Sequence, residues 1–436
     1  MNHSLHPEAA VQITASRRLY SVYVLAILFT INIFNVMDRK LISTILPDIQ
    51  KEFSVSDTQL GLLTGFAFAA FYLLAGVPVA RWADVGCRRN IIGLGLLVWS
   101  LMTTLSGYAQ SFMHLLLLRV GVAVGEAGGG PPAHSLVADY FPQKRRATAL
   151  SIYGLGGSLG AILGLMVGGY VATHYGWRTA FIALGLPGVL FVLVIFLTVR
   201  EPQRGATDTV KTQVAANEAS FLAVCRYLLK LPSFRFLIIA ASLTMFAQFG
   251  VNMWDVTFLR RVHGVTAEQA GGALGLIHLF AMFSVLIGAV VSDKLGQRDV
   301  RYYMWLPAVG GLLCVPFNLG FIMLDNYRLV IASGAVGLVL GGWWMGAALA
   351  TVQNLAKPHM RAVAAALFTL TYNIVGMGIG PSAVGWISDL LTPSYGDLAI
   401  RYAFLVSIVP LALAALFFYL AAGNLQQDLA KRDAST

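Results

Sequence analysis

Charge is what this sequence has least of. Only 11% of its 436 residues are Asp, Glu, Lys or Arg, against 57% hydrophobic. A soluble domain carries about a quarter charged residues, so most of this surface has to face something other than water. Cysteine is scarce too. Cys87, Cys225 and Cys314 lie far apart with no metal-ligand spacing, which excludes a disulfide framework and a zinc site. Strand-like alternation is missing from every apolar stretch, which leaves an all-helical chain. No strand precedes the glycine-rich stretches, so none of them is a nucleotide loop. His114, His134 and His278 are scattered and do not read as ligands. No cofactor, metal or covalent catalysis is indicated, and the expected protein is not an enzyme.

What fills the chain instead is apolar runs of membrane-crossing length. A span needs about twenty mostly apolar residues, and twelve fall at 19–46, 57–80, 89–108, 112–138, 147–172, 178–199, 234–259, 266–291, 302–323, 328–352, 362–387 and 400–422. The first run continues for a full span beyond Arg17-Arg18, which predicts an uncleaved helix. With the N-terminus placed in the cytoplasm, the thirty basic residues divide 21 to 8 in favour of that side, with Arg119 inside a span. The net charge of +10 then reports topology, with both termini cytoplasmic in a cell membrane, and no nucleic-acid partner is called for. The expected divisions are a tail (1–18), a six-helix bundle (19–199), a cytoplasmic linker (200–233), a second bundle (234–422) and a tail (423–436). In the linker, Gln203 to Glu218 is turn-rich. Beyond it Phe221, Leu222, Val224, Cys225, Leu228 and Leu229 interleave with Arg226 and Lys230, the pattern of a short helix lying on the membrane surface.

The second six spans echo the first six. Asn35-Val-Met-Asp38 recurs as Asn252-Met-Trp-Asp255, Asp84 to Arg88 recurs as Asp293 to Arg298, and Gly160 to Gly164 with Gly169 recurs as Gly376 to Gly380 with Gly385. Twinned membrane halves bind substrate near the midplane and rock against each other, so the chain reads as a transporter of a small-molecule or lipid substrate, expected to be monomeric among membrane lipids.

Ionisable groups inside spans are expensive and mark function. Asp38, Arg39, Arg119, Glu126 and Asp255 are such groups. Arg119 and Glu126 return to nearly one helix face about 10 Å apart. Asp38 and Arg119 lie at comparable depth, so the sequence predicts an Asp38–Arg119 pair with Glu126 deeper. Moving Arg119 between the two acids and a substrate anion couples protons to transport. Arg39 points about 100° away from Asp38, and either joins this site or snorkels outward. Asp255 is either a substrate contact or a rim partner of Arg260 and Arg261. Asn35, Asn252 and the pair Trp343-Trp344 complete the candidate substrate contacts, with packing as the alternative for the tryptophans. Gly128 to Pro132 predict a break in the fourth span just past Glu126, or close packing at Gly128.

Two six-helix halves, a cytoplasmic linker and acidic-basic loops after spans two and eight resemble the major facilitator superfamily. Asp293-Lys294-Leu-Gly296-Gln-Arg298 fits its loop motif; in the first copy Ala80 and Cys87 replace glycines and Val85 a base, while Asp84, Arg88 and Arg89 remain. The resemblance implies that Asp84, Arg88, Arg89, Asp293, Lys294 and Arg298 latch the cytoplasmic ends of the halves; positive-inside anchoring is the other reading of these charges. The run from Arg119 to Tyr153 and that from Asn35 to Phe53 resemble the spinster-like branch. This implies a proton-coupled exporter of lysolipids or sphingoid phosphates. Leu165 stands where the antiporter glycine motif has proline, which leaves stoichiometry open. A small organic-anion symporter, a multidrug exporter and, outside the class, a non-transporting receptor or scaffold are the rival readings.

Overall fold

The computed structural model describes residues 7–205 and 221–434. Most of the turn-rich linker segment, and the extremities of both tails, lie outside the described residues. Among the described residues seventeen α-helices run in chain order: α1 (Pro7–Phe53), α2 (Asp57–Thr64), α3 (Phe66–Val85), α4 (Arg88–Ser106), α5 (Phe112–Glu126), α6 (Gly130–Tyr140), α7 (Gln143–Tyr175), α8 (Trp177–Thr198), α9 (Phe221–Lys230), α10 (Pro232–His263), α11 (Ala267–Gly296), α12 (Tyr302–Met323), α13 (Tyr327–Gly341), α14 (Trp344–Leu355), α15 (Arg361–Asn373), α16 (Gly380–Tyr395) and α17 (Ala399–Ala434). Among the described residues there is no strand.

These helices make twelve transmembrane segments in two six-helix halves. Among the described residues ten helical stretches are long and apolar enough to cross a membrane. The last, Val363–Arg432, contains two segments separated by a turn at Gly396–Leu398, and the less apolar α4 makes the twelfth. The repeat extends to helix starts. Ser56 and Thr266 each cap a helix and are capped in return by Gln59 and Gln269, a reciprocal arrangement that satisfies two otherwise orphaned backbone donors.

Among the described residues four segments are interrupted. The fourth breaks between Glu126 and Gly130, as the glycines and prolines predict. The second breaks at Gly65, where the sequence predicts one continuous helix. Freed backbone groups there need partners, since lipid offers none. Ser382 supplies them: its Oγ accepts from the Phe66 N–H at 3.2 Å and donates to the Gly61 carbonyl at 3.0 Å. The tenth breaks at Gly342–Trp343, and the eleventh carries a π-helical turn, Ile374–Ile379.

By contact density the chain forms two compact units. One comprises residues 1–40, 71–164 and 178–213; the other comprises 41–70, 165–177 and 214–436. The far ends of α1 and α7 therefore belong with the second unit, together with α2. The short helix α9 is where the linker reading needs adjusting. Val224 and Leu228 are fully buried in the core of the second unit, alongside Phe234, Leu237, Phe368 and Leu425, while Leu222 and Leu229 stay exposed. Its apolar face is thus split between the protein core and the surroundings, which fixes the helix to the bundle.

Candidate functional site

Asp38, on α1, is 2% exposed and accepts a hydrogen bond from Thr103 Oγ1 of α4 at 2.6 Å. Its other oxygen has no hydrogen-bond partner among the described residues. One residue on, the helix has turned about 100°, which aims Arg39 at a different neighbour. Arg39 forms an ion pair with Glu126, and its guanidinium lies over the Tyr72 ring at 5.1 Å from the centroid. The side chain of Glu126 is fully buried, while that of Arg39 keeps 26% of its surface accessible. Arg119 is 2% exposed, within electrostatic range of Asp38, Glu126 and Arg39.

The four charges expected in the first half therefore do gather, but with different roles in the geometry. The guanidinium that pairs with Glu126 and faces open space is Arg39, so the snorkelling alternative for Arg39 does not hold. Asp38 is held by a threonine. Helical spacing could not rank Arg39 against Arg119, because the choice depends on which helix each side chain meets.

Two features of the sequence build this site. The α5 helix stops at Glu126, leaving the acid at a helix end beside the break. Helices α4 and α5 approach closely because Gly125 stands where a Cβ would lie 2.6 Å from the Trp99 backbone nitrogen, and Gly95 where one would lie 2.8 Å from the Gly125 carbonyl. An open cavity adjoins the pair, lined by Asn32, Asn35, Arg39, Tyr72, Glu126, His134 and Tyr153 among others. Asn35 is thus a lining residue; Arg119 is not among them. Thr103, Tyr72 and Tyr153 carry no signal in the sequence, since isolated hydroxyls and rings in apolar helices have none, and His134, read from sequence as a scattered histidine and not a ligand, lines the cavity.

In the second unit, Asp255 is 3% exposed and is not a rim partner of the neighbouring arginines. Arg260 makes a bidentate pair with Asp48 at 2.7 and 2.8 Å. Arg261 does the same with Asp57 at 2.7 and 2.6 Å, and also reaches Gln50 Oε1 at 2.6 Å. Asp57 in turn accepts from Ser388 Oγ at 2.7 Å. Asp255 and Asn252 instead line a second cavity, in which His278 Nε2 sits 3.0 Å from Asn252 Oδ1. Trp344 is 4% exposed, packed edge-on to Tyr372 in the core, and Trp343 donates to Ser284 Oγ at 3.0 Å. Both tryptophans serve packing here; neither lines either of the two cavities described above.

The sequence profile of the Major Facilitator Superfamily matches residues 28–381. An MFS-type efflux pump of Mycolicibacterium smegmatis is 31% identical over 412 residues, 94% of each chain. Human protein spinster homolog 1 is 30% identical, covering 85% of this chain and 74% of its own. The mouse sphingosine-1-phosphate transporter is 29% identical over 94% of this chain and 78% of its own. The crystal structure of a bacterial homolog to the human lysosomal transporter Spinster superposes with a TM-score of 0.87 at 30% identity, covering 94% of this chain and 98% of that one.

The chain belongs to the major facilitator superfamily, on its spinster-like branch. It is a multi-pass membrane transporter, not an enzyme.

Against this spinster-like frame, the first loop motif shows where its bases go. Arg88 is buried, donating to Glu201 at 2.7 Å, to Ser135 Oγ at 2.9 Å and to Asp139. The backbone N–H of Arg89 donates to Glu201 at 2.9 Å, and its side chain to Asn90. Burial pushes the Glu201 carboxyl up, but these donors from Arg89 and Arg88 outweigh it and hold the acid below the usual glutamate range. Both bases are thus bonded within their own half. Asp84, Asp293, Lys294 and Arg298 are exposed, with Asp293 accepting from Tyr303 Oη at 3.2 Å.

Proposed function

We propose that this spinster-like transporter moves an amphipathic anion, a lysolipid or sphingoid phosphate, by proton-coupled alternating access between the bundles 19–199 and 234–422. Both termini are cytoplasmic in this reading, the carrier lies in the cell membrane and works as a monomer, and the exposed loop charges Asp84, Asp293, Lys294 and Arg298 serve as its latch, Arg88 and Arg89 being engaged within their own half. The observation that carries the proposal is that Arg39 faces a cavity while bound to the buried Glu126. A cation in that position can be shared between a protein carboxylate and a substrate anion. A proton on Glu126 cancels its attraction for Arg39 and releases the guanidinium to the substrate headgroup. Asp38 and Arg119, buried behind the pair, form a second acid–base couple that answers the change in charge. A relative whose named substrate is sphingosine-1-phosphate supports the phosphate headgroup, and bidentate binding of phosphate is what a guanidinium does best.

The test is uptake of sphingosine-1-phosphate and of a lysophospholipid into proteoliposomes under an imposed pH gradient. Wild type responds to the gradient, and Glu126→Gln and Asp38→Asn lose that response while remaining folded. Full gradient-driven uptake by both variants would take the coupling role away from Glu126 and Asp38, and wild-type uptake indifferent to the gradient would leave a uniporter as the better reading.

A further inference from the structure

The motif shared by the first segments of the two halves can be followed from the sequence to its side-chain partners. Asn35 and Asp38 are matched by Asn252 and Asp255. Both aspartates are buried, and each asparagine lines a cavity within its own unit. In each unit the asparagine also meets a titratable side chain. Asn35 is in hydrogen-bonding reach of Glu126. Asn252 Oδ1 lies 3.0 Å from Nε2 of His278, on α11. His278 therefore stands to Asn252 as Glu126 stands to Asn35, although it comes from a different segment of its half.

We propose that His278 is a second proton-binding site, where an imidazole takes the place that a carboxylate has in the first half. Its surroundings suit the gain and loss of a proton. Nδ1 lies 2.9 Å from the Leu274 carbonyl, which can only accept, so Nδ1 keeps its hydrogen and Nε2 is the atom that titrates. Nε2 faces a primary amide, which accepts through its oxygen and donates through its nitrogen. In the arrangement seen, both ring nitrogens face oxygen, which is the setting of the protonated ring. Half a turn of the Asn252 amide offers its nitrogen to the neutral ring instead. Asp255 is three residues beyond Asn252, on the same side of α10, and lines the same cavity, so a carboxylate is at hand to balance the imidazolium. Among the described lining residues the other titratable group is Cys314 of α12, while α13 and α17 present none. The Cys314 thiol is engaged with the Gly311 carbonyl at 3.1 Å. This site deepens the proton-coupled reading and rests on it for the use made of the proton: the second half then changes its own charge during the cycle.

The experiment is nitrogen NMR of the full chain in nanodiscs across a pH series. Ile277-His278 is the one Ile-His pair in the sequence. Carbonyl-13C isoleucine combined with uniformly 13C,15N-labelled histidine therefore singles out His278 in the wild type, with no substitution. Nδ1 is expected to stay protonated throughout, while Nε2 passes from protonated to bare between about pH 5 and 8, the window in which an imidazole exchanges its proton. Asp255→Asn is expected to lower the ratio of protonated to neutral ring about tenfold at a fixed pH, the effect of losing one nearby opposite charge. An Nε2 held in one state across that window overturns the proposal, as does an Asp255→Asn ring that titrates like the wild type. Should Asp255→Asn not fold, the wild-type titration decides. The spectra are taken on resting protein without a gradient, which keeps the result apart from the transport assay. A His278 that never titrates, beside a Glu126→Gln variant that loses its gradient response, removes the second site and leaves the first standing.

Discussion

Replacing Arg39 by alanine isolates the pair on which the transport proposal rests. The Glu126 side chain is fully buried and Arg39 is one-quarter accessible. Two opposite charges 4 Å apart attract by about 4 kcal/mol at an effective dielectric constant of 20, and most of that is offset by the desolvation of both. The asymmetry appears when one partner goes. Arg39→Ala leaves a carboxylate that cannot regain water, a loss of about 3–5 kcal/mol by analogy with buried pairs in soluble proteins, with Arg119 nearby holding it to the lower end. Glu126→Gln costs less, since Arg39 can turn to the cavity and its water. The double variant should recover at least about 1 kcal/mol relative to the sum of the two, the mark of a direct interaction. Thermal unfolding in detergent, followed by the fluorescence of the eight tryptophans, reads the three variants against wild type. Additive effects, or an Arg39→Ala protein as stable as wild type, would falsify the pairing and move the coupling role to Arg119.

Of the two arginine clamps in the second unit, Arg261→Ala should cost about 3 kcal/mol, because the Asp57 side chain is 1% exposed. Arg260→Ala should cost no more than about 1 kcal/mol, its partner Asp48 being one-third exposed; equal shifts in melting temperature would refute this ranking. Gly164→Val should be destabilising by about 1–3 kcal/mol and should depress transport, since its Cβ would lie 2.6 Å from the Met37 carbonyl next to Asp38; unchanged uptake counts against close packing of α1 on α7. The Glu201 carboxyl is held below the ordinary value of 4.5 in the folded state. Its stabilisation is therefore complete above that pH and is lost as pH falls through the lower folded value. The stability gap between wild type and Glu201→Gln should be constant near neutrality and close on acidification, which thermal melts across pH will show. If the termini are cytoplasmic, Cys87 and Cys225 should escape a membrane-impermeant thiol reagent in intact cells and react in inverted vesicles.

Composition and hydrophobic run length settled by themselves that this is a helical membrane chain of twelve segments, because a bilayer leaves no other way to satisfy so many apolar residues. The repeat, read from three short motifs, settled the two halves. The break after Glu126 was also legible, since consecutive glycines and prolines act on their own backbone. What stayed hidden was every choice made between helices. Gly65 breaks its helix only because Ser382, far along the chain, satisfies the opened backbone. Arg260 and Arg261 ignore the nearby Asp255 in favour of Asp48 and Asp57, and Glu126 takes Arg39 as its ion-pair partner. Sequence distance and helical pitch say which charges are present and how deep they lie. Which pairs form depends on the angle at which each helix presents its side chains, and that is fixed only when the whole bundle packs.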